Sequence, residues 1–268
     1  MDSKRIIAKI DVKDNYLVKG IHLEGLRKIG DPYKFAEKYY LDGIDEIIFH
    51  DVTATLYGHN NLKEIITRLS KNIFIPILVG GGIRSPKDIE ELLSNGADRV
   101  MLNSAVIKDV NFLKESAYRF GSANLAANVE YSIIDGKPII FYEYGRQKTT
   151  LNFFDWIKKL EDFGAGEIIF TSIDHEGSGK GYEQSILEKV LKTIQIPITL
   201  HGGISKASQL QVAIKKYPKV SGLCLSSLLH YNYFQNNLNN KIFVSSKWEK
   251  SNIKQIKKKL SKTIKIRL

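Results

Sequence analysis

Short apolar runs alternate with amphipathic segments along most of this chain. The runs predict strands near 5–11, 45–50, 75–79, 98–103, 124–130, 167–171, 196–200 and 221–225. Between and after them, apolar positions recur at helical spacing over 32–41, 62–70, 86–94, 110–120, 153–163, 183–193, 206–216 and 252–261. Eight strands alternating with eight helices in 268 residues is the arithmetic of a (β/α)8 TIM barrel. An open, doubly wound sheet is the competing α/β arrangement.

The stretch from Ile77 to Ser104 shows the unit at its clearest. An apolar run stops at Gly80, Gly81 and Gly82, a Ser-Pro start opens an amphipathic segment, and a second apolar run ends at Asn103-Ser104. Parallel neighbours finish on the same side of a sheet, so the glycines and the Asn-Ser pair belong together. Glycines there let an anion approach the backbone; a plain tight turn explains them equally well. The unit recurs. The shift that carries Gly82 onto Gly203 also lays DEIIFHDVTATLYG, from Asp45, on GEIIFTSIDHEGSG, from Gly166. At nearly the same offset, AKIDVKD around Asp11 answers AANVEYS around Glu130. Self-similarity at half the length reads as two homologous half-barrels, and two halves of four units favour a closed barrel over an open sheet.

Composition narrows the class. A hydrophobic content of 43% supports a substantial core, and without a proline- or serine-rich linker we expect one domain over 1–268, with an extended basic segment at 235–268. No stretch approaches the roughly 20 apolar residues of a membrane span, and Met1 to Arg5 does not resemble a secretion signal, so a cytoplasmic location is expected. The single cysteine, Cys224, falls in an apolar strand and reads as a packed thiol. The formal charge of +11 favours acidic or phosphorylated ligands. Lys257, Lys258 and Lys259 stand on a late helix without any base-reading motif, so we expect a solvated helix face and no nucleic acid.

The strand ends hold the candidate chemistry. Asp11 closes the first strand and Glu130 the fifth, at matched places in the two halves. Side chains alternate along a strand, so Arg5, Ile7, Lys9 and Asp11 share a face, as do Asn128 and Glu130. Two carboxylates across a barrel mouth suit general acid–base work, although each alone could cap a loop or pair with Lys9 or Lys19. Glycine turns on both sides imply an elongated ligand with a phosphate at each end. The long segment after the first strand, with Lys19, Gly20 and Gly25, reads as a lid. The one after the fifth, with Asp135-Gly136, reads as a hairpin that either covers the site or decorates its rim. At the opposite ends, Arg5, Glu46, Arg99 and Glu167 each open a strand and predict a ring of alternating charge at the barrel bottom. Such a ring is a structural salt-bridge layer or a gated route for a small polar molecule.

These motifs resemble a known family. KRIIAKIDVKD, VKG with EGLRKIGD, DEIIFHDVTA, VGGGI, GADRVMLNS, GAGEIIFTSID and GYE are similar to the cyclase subunit of imidazole glycerol phosphate synthase, over Lys4 to about His230 and again from Asn252. The resemblance implies a glutaminase partner docked at the barrel bottom and ammonia rising through a gate at Arg5, Glu46, Arg99 and Glu167. It implies a lyase of histidine biosynthesis. Ammonia attacks a bisphosphorylated ribulosyl formimino substrate, which closes and splits into imidazole glycerol phosphate and an aminoimidazole carboxamide ribotide. It assigns acid–base catalysis to Asp11 and Glu130. It assigns substrate contacts to Lys19, Gly82, Asn103 and Ser104, and to Thr171, Gly177, Gly203, Ser226 and Ser227. It calls for no cofactor and no metal.

Three residues depart from the family pattern. Glu130 is one methylene longer than the family's aspartate, and a displacement of about 1 Å costs on the order of 100-fold in rate. Lys9 places a cation beside Asp11, where it favours the ionised carboxylate. His201 replaces a small residue at the second glycine turn. These changes resemble cyclase-like paralogues that pass ammonia to a sugar amidotransferase in surface polysaccharide synthesis, which is the alternative reading. An Asn-rich insert at 235–250 departs as well.

Overall fold

The eight apolar runs pair side by side as parallel strands in a computed structural model that describes residues 3–54, 62–238, 248–262 and 265–266. The barrel strands are β1 (Arg5–Lys13), β4 (Glu46–Asp51), β5 (Ile77–Gly80), β6 (Arg99–Leu102), β7 (Leu125–Ile134), β10 (Glu167–Ser172), β11 (Ile198–His201) and β12 (Gly222–Leu225). They follow in chain order, and pairings of β12 with β1 and of β7 with β10 leave no free edge among them. Closure decides against the open sheet.

Alternation along each strand sorts the side chains into two environments. Ile6, Ala8 and Ile10 point outward into the large core between strands and helices. Ile7, Ile48, Leu78, Met101, Ala126, Ile169 and Cys224 form a separate apolar layer inside the barrel. That layer divides the interior into a charged floor and a polar mouth, and Cys224 is buried in it with a thiol that burial pushes far up.

Helix boundaries follow local chemistry. Asp31 caps the helix Pro32–Leu41, and Ser85 and Asp88 form a capping box on Pro86–Ser94, each with proline in the first turn. The predicted helix at 183–193 begins only at Leu187, because the Glu183 carboxylate accepts the Ser185 N–H (2.7 Å) and holds a turn instead. A helix absent from the sequence reading, Ser227–Leu238, follows β12 directly.

Two excursions stand above the mouth. The segment after β1 is an antiparallel hairpin, β2 (Tyr16–Ile21) with β3 (Glu24–Gly30), so its length goes into paired strand. The segment after β7 adds β8 (Lys137–Tyr142) and the short β9 (Gln147–Lys148). The expected solvated face of the lysine-rich helix needs correction at one position. On Ile253–Ser261, Lys257 is buried and its Nζ lies 2.7 Å from Asp45 Oδ1, because Asp45 at the barrel floor is the anion that the helix docks against. Part of the insert at 235–250 and part of the tail lie outside the described residues. No helix among those described is long and apolar enough to cross a membrane.

Candidate functional site

Asp11 lies wholly buried at the top of β1, with Lys9 Nζ 2.6 Å from its Oδ1. Tyr144 Oη donates to Oδ2 (3.2 Å), and His50 Nδ1, at the same register on β4, stands 3.5 Å from Oδ1. Burial alone would raise the Asp11 carboxyl. The Lys9 ammonium, with His50 beside it, outweighs that and holds the group well below the usual carboxylate range. Lys9, which burial alone would lower, is likewise held up by Asp11.

Glu130 lies across the mouth on β7, also buried. Gly145 N–H donates to its Oε2 (2.8 Å) and Asn128 Nδ2 to its Oε1 (3.2 Å), while Thr171 Oγ1 donates to Asn128 (2.9 Å). Here burial prevails: the Glu130 carboxyl sits above its ordinary value, with His50, the Gly145 amide and Lys9 offsetting only part of the rise. Two carboxylates in one mouth therefore carry opposite shifts, the arrangement that separates a proton donor from a group that rests ionised.

One turn spans both acids. Tyr144 and Gly145, adjacent in the chain, bind Asp11 and Glu130 respectively, and the turn passes through left-handed backbone at Glu143 (φ 55°) and Tyr144 (φ 60°). Tyr144 packs with Val18, Leu23 and Val52, so the two hairpins meet over the mouth. The hairpin after β7 covers the site.

Beside the acids, a cavity of about 580 Å³ opens between β4, β5, β6 and the Tyr144 turn. Its wall includes Gly82, Asn103, Ser104 and Glu130, with the cations of Arg84, Lys108 and Arg146 around it. Gly82 has φ +69°, and a Cβ there would come within 2.6 Å of Ala54 Cβ. Asn103 Oδ1 is buried without a hydrogen-bond partner, and Ser104 Oγ accepts the Glu143 N–H (3.1 Å).

The matching place in the second half is far tighter. Gly203, Ser226 and Ser227 line a space of only about 10 Å³, closed by Trp248. Gly177 packs against Gly20 and Ile21 of the first hairpin. Lys19, expected as a lid cation at the mouth, is 2% exposed and ion-paired with the buried Glu176, so its charge is already matched within the fold. His201 is buried beside them, and burial, then Lys9, holds its imidazole well below the ordinary histidine value.

At the floor, the four charges form the expected ring. Arg5 binds Glu46 Oε2 (2.5 Å) and Glu167 Oε1 (2.6 Å), and Arg99 binds Glu167 Oε2 (2.6 Å) and stands 3.5 Å from Glu46 Oε1. Burial raises the Glu46 carboxyl despite the arginines. At Glu167 burial is outweighed by Arg5 and Arg99, and the carboxyl is lowered.

Sequence reasoning missed Tyr144, Gly145 and Glu176. The first two lie in an irregular turn whose position is set by contacts distant in sequence. Glu176 was legible only as the neighbour of Gly177. Among the described residues, no group of three or more His, Cys, Asp or Glu side chains could hold a metal ion.

Comparison with known proteins places these residues in a family context. Residues 5–235 match the family described as histidine biosynthesis protein. The chain is 43% identical to the imidazole glycerol phosphate synthase subunit HisF of Legionella pneumophila over 210 residues, covering 78% of this chain and 99% of that one. It is 38% identical to the protein of the same name from an Exiguobacterium strain over 86% of this chain and 89% of the relative. The Saccharolobus solfataricus counterpart is 39% identical over 77% and 82%.

Proposed function

The chain belongs to the histidine biosynthesis protein family, and from that premise we propose that it is the cyclase subunit of an imidazole glycerol phosphate synthase. The observation that carries the proposal is the pair of buried carboxylates, Asp11 and Glu130, spanned by the Tyr144–Gly145 turn beside a cavity of about 580 Å³ whose wall includes Gly82, Asn103 and Ser104. In this reading the cavity holds one phosphate of the formimino substrate, and the Gly177, Gly203, Ser226 and Ser227 side receives the other. Ammonia attacks between them. Asp11, kept anionic by Lys9, stabilises developing positive charge and takes a proton from the attacking ammonia; Glu130, protonated more readily, donates one to the ribulosyl carbonyl oxygen, which leaves as water as the imidazole ring closes and the aminoimidazole carboxamide ribotide departs. Thr171 acts by orienting Asn128 against Glu130.

The remaining assignments follow from the same reading. The barrel arose by doubling of a half-barrel and forms one domain over 1–268, which works in the cytoplasm. A glutaminase subunit docks at the floor, and the ring of Arg5, Glu46, Arg99 and Glu167 gates ammonia into the barrel. The shared name of the relatives favours this over service to a sugar amidotransferase.

Purified protein supplied with ammonium salts should convert the formimino bisphosphate into the two imidazole products, and Asp11→Asn should abolish turnover while substrate still binds. Absence of turnover at high ammonia would overturn the proposal.

A further inference from the structure

The two acids do not have equal access to the large cavity. The described residues of its wall include His50 and Glu130, whereas Asp11 is absent from that wall and 0% exposed. Lys9 and Tyr144 occupy the two Asp11 oxygens. His50 reaches both places: it lines the cavity, and its Nδ1 lies 3.5 Å from Asp11 Oδ1. That nitrogen is buried and makes no closer hydrogen bond, so its N–H is best spent on the carboxylate beside it. Nε2, on the other side of the ring, is then left to the cavity as a bare acceptor, and the Tyr144 ring, 5.6 Å away between centroids, packs against the imidazole. Strand register sets His50 opposite Asp11 and Thr171 opposite Glu130, and the repeat that lays DEIIFHD on GEIIFTS sets His50 against Thr171. Each acid thus has a polar neighbour at its own level. The Thr171 hydroxyl donates to Asn128 (2.9 Å); of the two neighbours, only the imidazole can take up a proton and return it.

We infer that His50 is a catalytic base of this protein and that Asp11 meets the reaction through it. This rests on the reading of the protein as the cyclase, and it adds the route by which Asp11 receives the proton of the attacking ammonia. As the ammonia nitrogen bonds to the ribulosyl carbonyl carbon, it carries one proton too many. The Nε2 lone pair of His50 takes that proton, and the electrons of the broken N–H bond return to the nitrogen. Nδ1 keeps its own proton on the line to Oδ1, so Asp11 and His50 take up the proton as one unit, which passes from anion to neutral. Lys9, on the same oxygen, keeps Asp11 ionised at rest and ready for this role. The imidazolium then returns the proton to Glu130, which has given one up, and both acids regain their resting states.

His50→Asn tests this, because an amide can still donate to Asp11 but cannot take up a proton. With ammonium salts and the formimino bisphosphate, kcat should fall by at least about 100-fold, the lower end of what acid–base groups contribute, with KM held within about three-fold. In His50→Ala, free imidazole should restore turnover, and more basic imidazoles should restore it faster. Pyrrole, which has the shape without the base, should not. Unchanged kcat in His50→Asn, or equal rescue by imidazole and pyrrole, would overturn the inference. If neither variant folds, the ¹⁵N shifts of the His50 ring in unaltered protein decide: a protonated Nδ1 with a bare Nε2 supports it, and a protonated Nε2 sinks it. Full turnover in both unaltered protein and His50→Asn removes this inference alone; no turnover of unaltered protein at high ammonia removes the proposed reaction as well.

Discussion

Lys9 Nζ and Asp11 Oδ1 lie 2.6 Å apart on one strand, and neither side chain has meaningful access to water. Two residues apart, they point to the same side of the strand, so the pair is formed within β1. Removing one partner from a buried pair strands the other charge, at a cost of about 3–5 kcal/mol. Lys9→Met should therefore lower the unfolding free energy by about that amount. The double variant Lys9→Met/Asp11→Asn should recover much of the loss, as read from urea midpoints. Equal losses in single and double variants would show that the pair is not coupled.

The opposite shifts of Asp11 and Glu130 give stability two pH dependences of opposite sign. The Asp11 contribution is fully present above its unfolded value of about 3.9 and is lost as pH falls through its lower folded value. Glu130 has a raised folded value, so its contribution is full below about 4.3 and is lost as pH rises through the folded value. Glu130→Gln should abolish that second loss, so the variant gains stability relative to unaltered protein as pH rises above about 4.3 in denaturant titrations.

Tyr144 donates its hydroxyl to Asp11 at 3.2 Å, a long bond to an ionised acceptor. Hydrogen bonds to charged groups contribute about 1.5–3 kcal/mol, and this one belongs at the lower end. Tyr144→Phe should reduce ammonia-dependent kcat by about ten-fold with KM nearly unchanged. A change confined to KM would instead make the tyrosine a binding group.

Arg5 satisfies two buried carboxylates at once, Glu46 and Glu167. Its side chain is 30% exposed, so water softens the loss, and Arg5→Met should cost about 3 kcal/mol in chemical denaturation. If the ring gates ammonia, the variant should change glutamine-dependent turnover with the glutaminase bound more than turnover with ammonium salts. A parallel fall in both rates would reduce the ring to a structural layer.

Gly82→Ala places a methyl 2.6 Å from Ala54 Cβ at a positive φ. Phosphate affinity at the large cavity should fall by at least about ten-fold, measured by titration, since losing one hydrogen bond to a charged group costs about 1.5–3 kcal/mol and about 1.4 kcal/mol is ten-fold in affinity.

The sequence by itself determined what depends on neighbours along the chain. Apolar runs and caps such as Ser85 and Asp31 set the strands and helices, because hydrogen bonding and burial there are local. Strand parity put Lys9 beside Asp11, and Arg5, Glu46, Arg99 and Glu167 on one floor, because side chains alternate with a period of two. Tertiary structure decided what depends on residues far apart. It joined β12 to β1 and β7 to β10 to close the barrel, and it brought Tyr144 and Gly145 down onto acids that precede them by 133 and 15 positions. It also buried Lys19 against Glu176, distant by 157 positions, turning an expected lid cation into half of an internal ion pair. No periodicity encodes such meetings; they follow from the packing of two hairpins over one mouth.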